Sequence, residues 1–209
     1  MFDLLQSGGV FMYVILSLSV LAGALFMERA GYLYLRLKLN MDKAFKKIMV
    51  NLENSNYRAA IDGCSRIEKH PLGRILKAGL LKADKKDKEI ERALEEKIMN
   101  EIPRVKAKIN YLTLFANIST LLGLLGTIMG LITSFQSVAN ASDAAKQEML
   151  ASGISMAMLT TAAGLIVAIP CLAGYYVLNN RGDFLIDQFE QKALGLANIL
   201  STLKRSGSA

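Results

Sequence analysis

Residues 109–142 read INYLTLFANISTLLGLLGTIMGLITSFQSVANAS, and residues 149–180 read MLASGISMAMLTTAAGLIVAIPCLAGYYVLNN. Neither stretch contains an Asp, Glu, Lys, Arg or His, and a third such run covers Leu4–Met27. Each exceeds the roughly 20 apolar residues that a helix needs to cross a bilayer core about 30 Å thick. All 25 Lys and Arg and all 18 Asp and Glu of the 209 residues lie outside the three runs. A soluble protein would instead scatter its charges along amphipathic helices. With a hydrophobic fraction of 52%, the chain reads as all-α, an integral membrane protein with three transmembrane helices.

The first run carries only Asp3 before it and ends in Met27-Glu28-Arg29, without the basic start and small-residue cleavage site of a signal peptide. It therefore reads as a retained membrane helix. Cys64 falls in a charged segment and Cys171 inside the third span, so neither a disulfide nor a metal site is indicated.

Charge asymmetry orients the spans. Glu28–Lys108 holds 20 Lys and Arg against 12 acids, whereas Asp143–Glu148 holds one Lys and residues 1–9 none. The amino terminus and the 143–148 link are thus expected outside, with the long middle segment and the tail in the cytoplasm. Tyr32, Tyr34, Tyr111, Tyr175 and Tyr176 fall at the inferred cytoplasmic boundary, where amphipathic rings prefer to sit. Along the middle segment the charges alternate in sign and aromatic residues are sparse, the pattern of a solvated helix rather than a nucleic-acid face. Anionic lipid headgroups are the fitting partner for its excess of +8.

Ile90, Leu94, Ile98, Ile102, Val105 and Ile109 recur at helical spacing and predict a helix that runs directly into span two, kinked at Pro103. Leu185, Phe189, Ala193, Leu196, Leu200 and Leu203 repeat the pattern after span three. Spans two and three are therefore expected to extend as long cytoplasmic helices whose stripes pack together. Pro71 suits the first turn of a new helix, and His70 before it reads as a turn residue rather than a ligand. Ser206-Gly-Ser-Ala reads as a flexible tail.

On helical wheels, Gly153, Ala157, Thr161, Gly164 and Ala168 of span three share an arc of roughly 80°, with Thr160 beside it. Ser119, Gly123, Thr127, Gly130, Ser134 and Ser137 of span two do the same. Small residues let helix backbones approach closely in lipid, which assigns Gly123, Gly130, Gly153, Ala157 and Gly164 to helix packing. Thr127, Thr160, Thr161 and Ser134 offer hydroxyls to a partner helix or a water-filled ion path. Pro170 frees a carbonyl inside span three and predicts a kink there.

The order of parts resembles the MotA/TolQ/ExbB proton-channel family in its ExbB/TolQ branch: one span, a charged segment of about 80 residues, two spans and a tail. The resemblance rests on Leu121-Leu-Gly-Leu-Leu-Gly-Thr-Ile-Met-Gly-Leu131, on Gly153-Ile-Ser-Met-Ala-Met-Leu-Thr-Thr-Ala-Ala-Gly-Leu-Ile-Val-Ala-Ile-Pro170, and on Pro71-Leu-Gly-Arg-Ile-Leu-Lys-Ala-Gly-Leu80. MotA itself has four spans, which this chain lacks. The resemblance implies the bacterial inner membrane and a multi-pass topology. In that frame residues 1–9 are periplasmic, 10–27 the first span, 28–108 a cytoplasmic helical segment and 109–136 the second span. Residues 137–152 form a periplasmic link, 153–178 the third span, and 179–209 a cytoplasmic C-terminal helix and tail.

It further implies a homopentamer around a central pore that holds an ExbD/TolR-like dimer of single-span partners carrying an intramembrane Asp, with a TonB/TolA-like protein beyond. The family threonines map onto Thr127 and Thr161. Many ExbB and TolQ chains have a glutamate in span three where this chain has Met156. Moving a proton through a dry region requires a titratable group or a water wire, so the titrating group is expected on the partner. Two alternatives stay open: a non-conducting scaffold for partner helices, and an Na+-driven motor of the same family. A solute transporter lacks its internal repeats here. An enzyme is the reading the residues support least: no paired-carboxylate, Cys/His or Ser/His/Asp arrangement and no phosphate-binding Gly loop points to one, and no cofactor or metal is implied.

Overall fold

The computed structural model describes residues 9–38, 40–54, 56–139 and 143–207, and every element among them is helical. The expected periplasmic N-terminus, the centre of the 137–152 link and the last two residues of the tail lie outside the described residues. The order is α1 (Gly9–Ala30), a π-helical segment (Gly31–Arg36), α2 (Met41–Glu53), α3 (Tyr57–Arg66), α4 (Pro71–Leu80), α5 (Asp87–Lys106), α6 (Asn110–Ala139) and α7 (Asp143–Gly207). Among the described residues three helices are long and apolar enough to cross a membrane by length and composition. Two compact units result, Met1–Ala30 with Lys108–Leu178, and Gly31–Ala107 with Asn179–Ala209.

The first unit contains the first two apolar runs and the third as far as Leu178. Helix α1 packs on α6, and the Phe26 ring covers Gly174, where a methyl group would stand 2.9 Å from a ring carbon. At the ends of these helices the Lys108 ammonium donates to both Glu28 carboxylate oxygens, at 2.9 and 3.2 Å. That hydrogen bond holds the Glu28 carboxyl below its usual range. Helix α7 continues through Pro170.

The expectation that the charged helix runs straight into span two, kinked at Pro103, is corrected. Helix α5 passes through Pro103 and stops at Ala107, whose backbone is extended (φ −50°, ψ 138°). Lys108 then sits at φ 61°, in the left-handed region that a non-Gly residue adopts rarely. Two consecutive non-helical residues interrupt the helix, whereas Pro103 does not. The sequence hides this break because Ala and Lys are good helix formers and Ile109 keeps the apolar period. Ser206 and Gly207 belong to α7, so the helix reaches further than the expected tail allowed.

The second unit is a helical bundle built in the ordinary way. Asn40 and Asn56 cap α2 and α3, each side-chain oxygen accepting a backbone N–H, at 3.1 and 3.0 Å. His70 caps α4 by accepting the Leu72 N–H on Nδ1 at 3.2 Å, with Pro71 in the first position where its missing N–H is harmless. Ile90, Leu94, Ile98 and Val105 of α5 are buried, as are Leu185, Phe189, Ala193, Leu196 and Leu200 of α7. The two helices run antiparallel: Asp87 accepts from Ser201 at 2.9 Å while Lys106 pairs with Asp183 at 2.6 Å.

One buried charge escaped the reading of the sequence. The Glu101 side chain is 1% exposed and accepts two hydrogen bonds from Arg74, at 2.8 and 2.6 Å, with Arg104 at 3.2 Å. Burial alone would raise its carboxyl, but the Arg74 fork and the neighbouring cations outweigh it and hold the group below its usual range. Arg74 also donates to the Glu68 carbonyl at 2.9 Å, so one guanidinium joins the start of α4 to α5. Cys64 is buried, and burial pushes its thiol up to about 12, which leaves it a packing residue with negligible thiolate.

Candidate functional site

The chemistry-bearing residues of the apolar runs converge where α6 packs against the first half of α7. The buried row on α6 is Leu112, Ala116, Ser119, Gly123, Gly126, Gly130 and Ser134, at intervals of three and four. The facing row on α7 runs the other way. A methyl group on Gly164 would lie 2.6 Å from the Ser119 carbonyl oxygen, and one on Gly123 3.1 Å from the Thr160 carbonyl. Further along, a methyl on Gly130 would stand 3.2 Å from the Ala157 Cβ, and one on Gly153 2.3 Å from the Ser134 Cβ. At each point one helix supplies no side chain and the other helix's backbone or a small side chain fills the gap. This brings together Gly123, Gly130, Gly153, Ala157 and Gly164, the five residues read as packing residues.

The four hydroxyls read as an ion path take different places. Thr161 Oγ1 donates across the pair to the Gly123 carbonyl at 3.2 Å, and its side chain is half-buried. Thr160 Oγ1 donates within its own helix to Ala157 at 2.8 Å and is 1% exposed, its side chain lying over Gly126. Ser134 is 4% exposed, its hydroxyl facing the Met149 and Leu150 carbonyls at 3.4 and 3.5 Å. Thr127 stands beside the packed row, half-exposed, and donates to the Leu124 carbonyl at 2.5 Å.

Such bonds to a carbonyl three or four residues back satisfy a hydroxyl in an apolar setting and leave its oxygen lone pairs available. Ser119 differs: its buried hydroxyl has no hydrogen-bond partner among the described residues.

Gly126, not Thr127, occupies the packed row, and the wheels missed it because only residues within one narrow arc were grouped. The run 119, 123, 126, 130 carries the signal, since helix neighbours alternate between three and four residues apart. Met156 is 36% exposed and lies in a shallow depression with Ser152, Ser155 and Leu159. It stands about 140° around α7 from Thr161, away from the contact with α6. No group of His, Cys, Asp and Glu among the described residues could hold a metal ion. The site can therefore accept and pass hydrogen bonds, but it stores no charge of its own.

A sequence model of the MotA/TolQ/ExbB proton channel family matches residues 67–191, which contain the whole α6–α7 contact. Biopolymer transport protein ExbB-like 3 of Synechocystis sp. is 34% identical over 168 residues, 80% of this chain and 79% of that protein. The Tol-Pal system protein TolQ of Haemophilus influenzae is 31% identical over 100 residues, 48% of this chain and 42% of that one. The solved structure of C. jejuni MotAB superposes with a TM-score of 0.67 at 18% identity, covering 92% of this chain and 78% of that one. At that identity the likeness speaks to the fold.

Proposed function

The chain belongs to the MotA/TolQ/ExbB proton channel family, and from that premise we propose that it is the ExbB/TolQ-like housing of an ion-driven motor. Five copies surround a pore in the bacterial inner membrane, with the amino terminus periplasmic and residues 28–108 and 179–209 cytoplasmic. The pore holds the single spans of two ExbD/TolR-like partner chains, and a TonB/TolA-like protein receives their movement. No enzymatic step is proposed.

The observation that carries this reading is the pairing of a small-residue, hydroxyl-bearing helix contact with a complete lack of Asp, Glu, Lys, Arg and His in all three apolar runs. A path without a charge-storing group needs one brought from outside. An aspartate on the partner's span would serve. Protonated, it is neutral and moves freely past apolar surface. Ionised, it draws the hydroxyl protons of Thr127 and Thr161 away from the Leu124 and Gly123 carbonyls that hold them, so proton arrival and departure bias the housing to step around the partner.

Within the housing we assign the path to Thr127 and Thr161, whose half-buried oxygens have lone pairs to spare. Thr160 and Ser134 are assigned instead to the contact between α6 and α7, because a side chain already buried within one subunit cannot line a space between subunits. Met156, on another face of α7, leaves no titratable group there and keeps a sodium-driven version of the same machine as the second reading.

The housing, co-purified with its single-span partner, is reconstituted in vesicles containing a pH-sensitive dye. Proton flux should vanish when the partner's aspartate becomes asparagine. Thr161→Val should leave assembly intact and abolish flux, while Thr161→Ser should retain it. A Thr161→Val form that still conducts normally overturns the assignment of Thr161 to the path, and a complex that drives its partner without any flux is a scaffold and overturns the reading. Flux that follows a sodium gradient rather than a proton gradient selects the second reading.

A further inference from the structure

In the second unit, α5 and the C-terminal part of α7 leave an open groove of about 860 Å3. Its floor is apolar, with Leu94, Ile98, Ile102, Ala193 and Ala197, and two large apolar side chains stay on its surface, Met99 at 68% exposure and Leu194 at 62%. Its rim is acidic, carrying Glu91, Glu95, Asp187 and Glu190, all four exposed. None of these carboxylates forms an ion pair with a described residue.

The same unit carries the complementary surface. On α2, Lys43, Lys46, Lys47 and Val50 are exposed at spacings of three, one and three, which place them on one stripe. Tyr57 and Arg58, at the start of α3, are exposed as well. The four cations form no ion pair with a described residue either. Asp42, the nearest acid on α2, is already held by Lys192 of α7 at 2.5 Å.

We propose that the groove receives the basic face of α2 and the start of α3 from a second copy of this chain. Val50 and Tyr57 fill the apolar floor, and the lysines and Arg58 meet the four carboxylates. The groove and the basic face are different surfaces, so the contact is heterologous, and each copy offers both halves. Repetition of such a contact closes a ring when the rotation permits. The proposal rests on the self-assembling reading above and names the surfaces that would join neighbouring copies.

The test uses the full chain in membranes. One tagged copy carries Leu194→Cys, a differently tagged copy carries Val50→Cys, and the two are co-expressed and oxidised. Cross-links containing both tags are expected, and a single chain with both cysteines should give a ladder of multimers. Glu91→Lys with Glu95→Lys should lower the yield about tenfold through like-charge juxtaposition, and adding Lys46→Glu with Lys47→Glu should restore it. Circular dichroism confirms that each variant keeps its helicity.

Links between two Leu194→Cys copies only, links from the groove to a different polypeptide, or no link in an intact oligomer would each overturn the contact. In the last case the native mass of the complex shows that assembly survives without it. If no oligomer forms even without substitutions, the self-assembling reading fails as well.

Discussion

Two glycines, one in each unit, look equally crowded and are walled by different things. A methyl group on Gly164 would stand 2.6 Å from the Ser119 carbonyl oxygen and 3.1 Å from the Gly123 Cα, which are backbone atoms. On Gly79 it would stand 2.6 Å from a Leu94 methyl and 3.2 Å from a Leu196 methyl, which are the tips of flexible side chains. The first unit packs backbone against backbone because lipid offers no hydrophobic gain to interlocking leucines, so closeness must supply the attraction. The second unit packs leucines and a phenylalanine into a core, where removal from water supplies it. Fit is therefore rigid at Gly164 and adjustable at Gly79.

The largest effect that tests this difference is Gly164→Ala. The α6 backbone cannot step aside without breaking its own hydrogen bonds, so the expected loss is about 3 kcal/mol, the upper end for overpacking. Assembled protein recovered from membranes should fall accordingly. If recovery and thermal stability match the parent chain, the contact is looser than its geometry and the comparison breaks.

Second comes Glu101→Gln in the other unit. Removing one partner of a buried pair costs about 3–5 kcal/mol in a sealed site. Arg74 is 23% exposed and Arg104 62%, so water recovers part of their hydration and about 2 kcal/mol is expected. Thermal unfolding followed by circular dichroism measures it. Gly79→Ala should cost less still, about 1 kcal/mol, because Leu94 and Leu196 can change rotamer. Gly73 sharpens the rule: it belongs to the second unit, yet a methyl there would lie 2.4 Å from the Ile67 carbonyl oxygen. Gly73→Ala should therefore behave like Gly164→Ala, which would show that the wall, not the unit, decides.

The parts of this molecule that the sequence displayed are those written in periodicity and absence. Three charge-free runs marked the apolar helices, and spacings of three and four placed Gly123, Gly130, Gly153, Ala157 and Gly164 on the contact they make. Breaks and pairings across distance were not displayed. Ala107 and Lys108 turn the chain although neither residue type marks a turn. Glu101 lies in a charged helix where a buried carboxylate looks like any solvated one, since its partner Arg74 is 27 residues away. Thr160 and Thr161 are neighbours of one type, and only the helix opposite decides that the first is sealed and the second half-open.

The smallest effect is a slope with pH, and it belongs to one unit alone. His70 sits edge-on to Phe189, ring centroids 5.8 Å apart, and its Nε2 meets the hydrogen-bond geometry with none of the described residues. Burial, and secondarily the nearby Arg74 charge, hold its imidazole below the usual 6.5, although the Leu37 backbone favours the charged ring. The unfolded chain therefore takes up this proton first, so stability is full above about 6.5 and falls as pH drops toward the lowered value. The lowered Glu101 carboxyl adds to the loss only at greater acidity, starting below about 4.5. Amide hydrogen exchange in α4 should thus quicken between pH 7 and 5.5, while exchange in the α6–α7 contact, after correction for intrinsic rates, stays level because its spans contain no Asp, Glu, Lys, Arg or His. His70→Asn keeps an oxygen for the Leu72 N–H and removes the titration, so it should flatten the α4 slope at the cost of the Phe189 contact. A slope that survives this substitution would move the pH sensitivity elsewhere in the bundle. A slope in α6 and α7 would mean that the apolar pair is not as indifferent to protons as its composition demands.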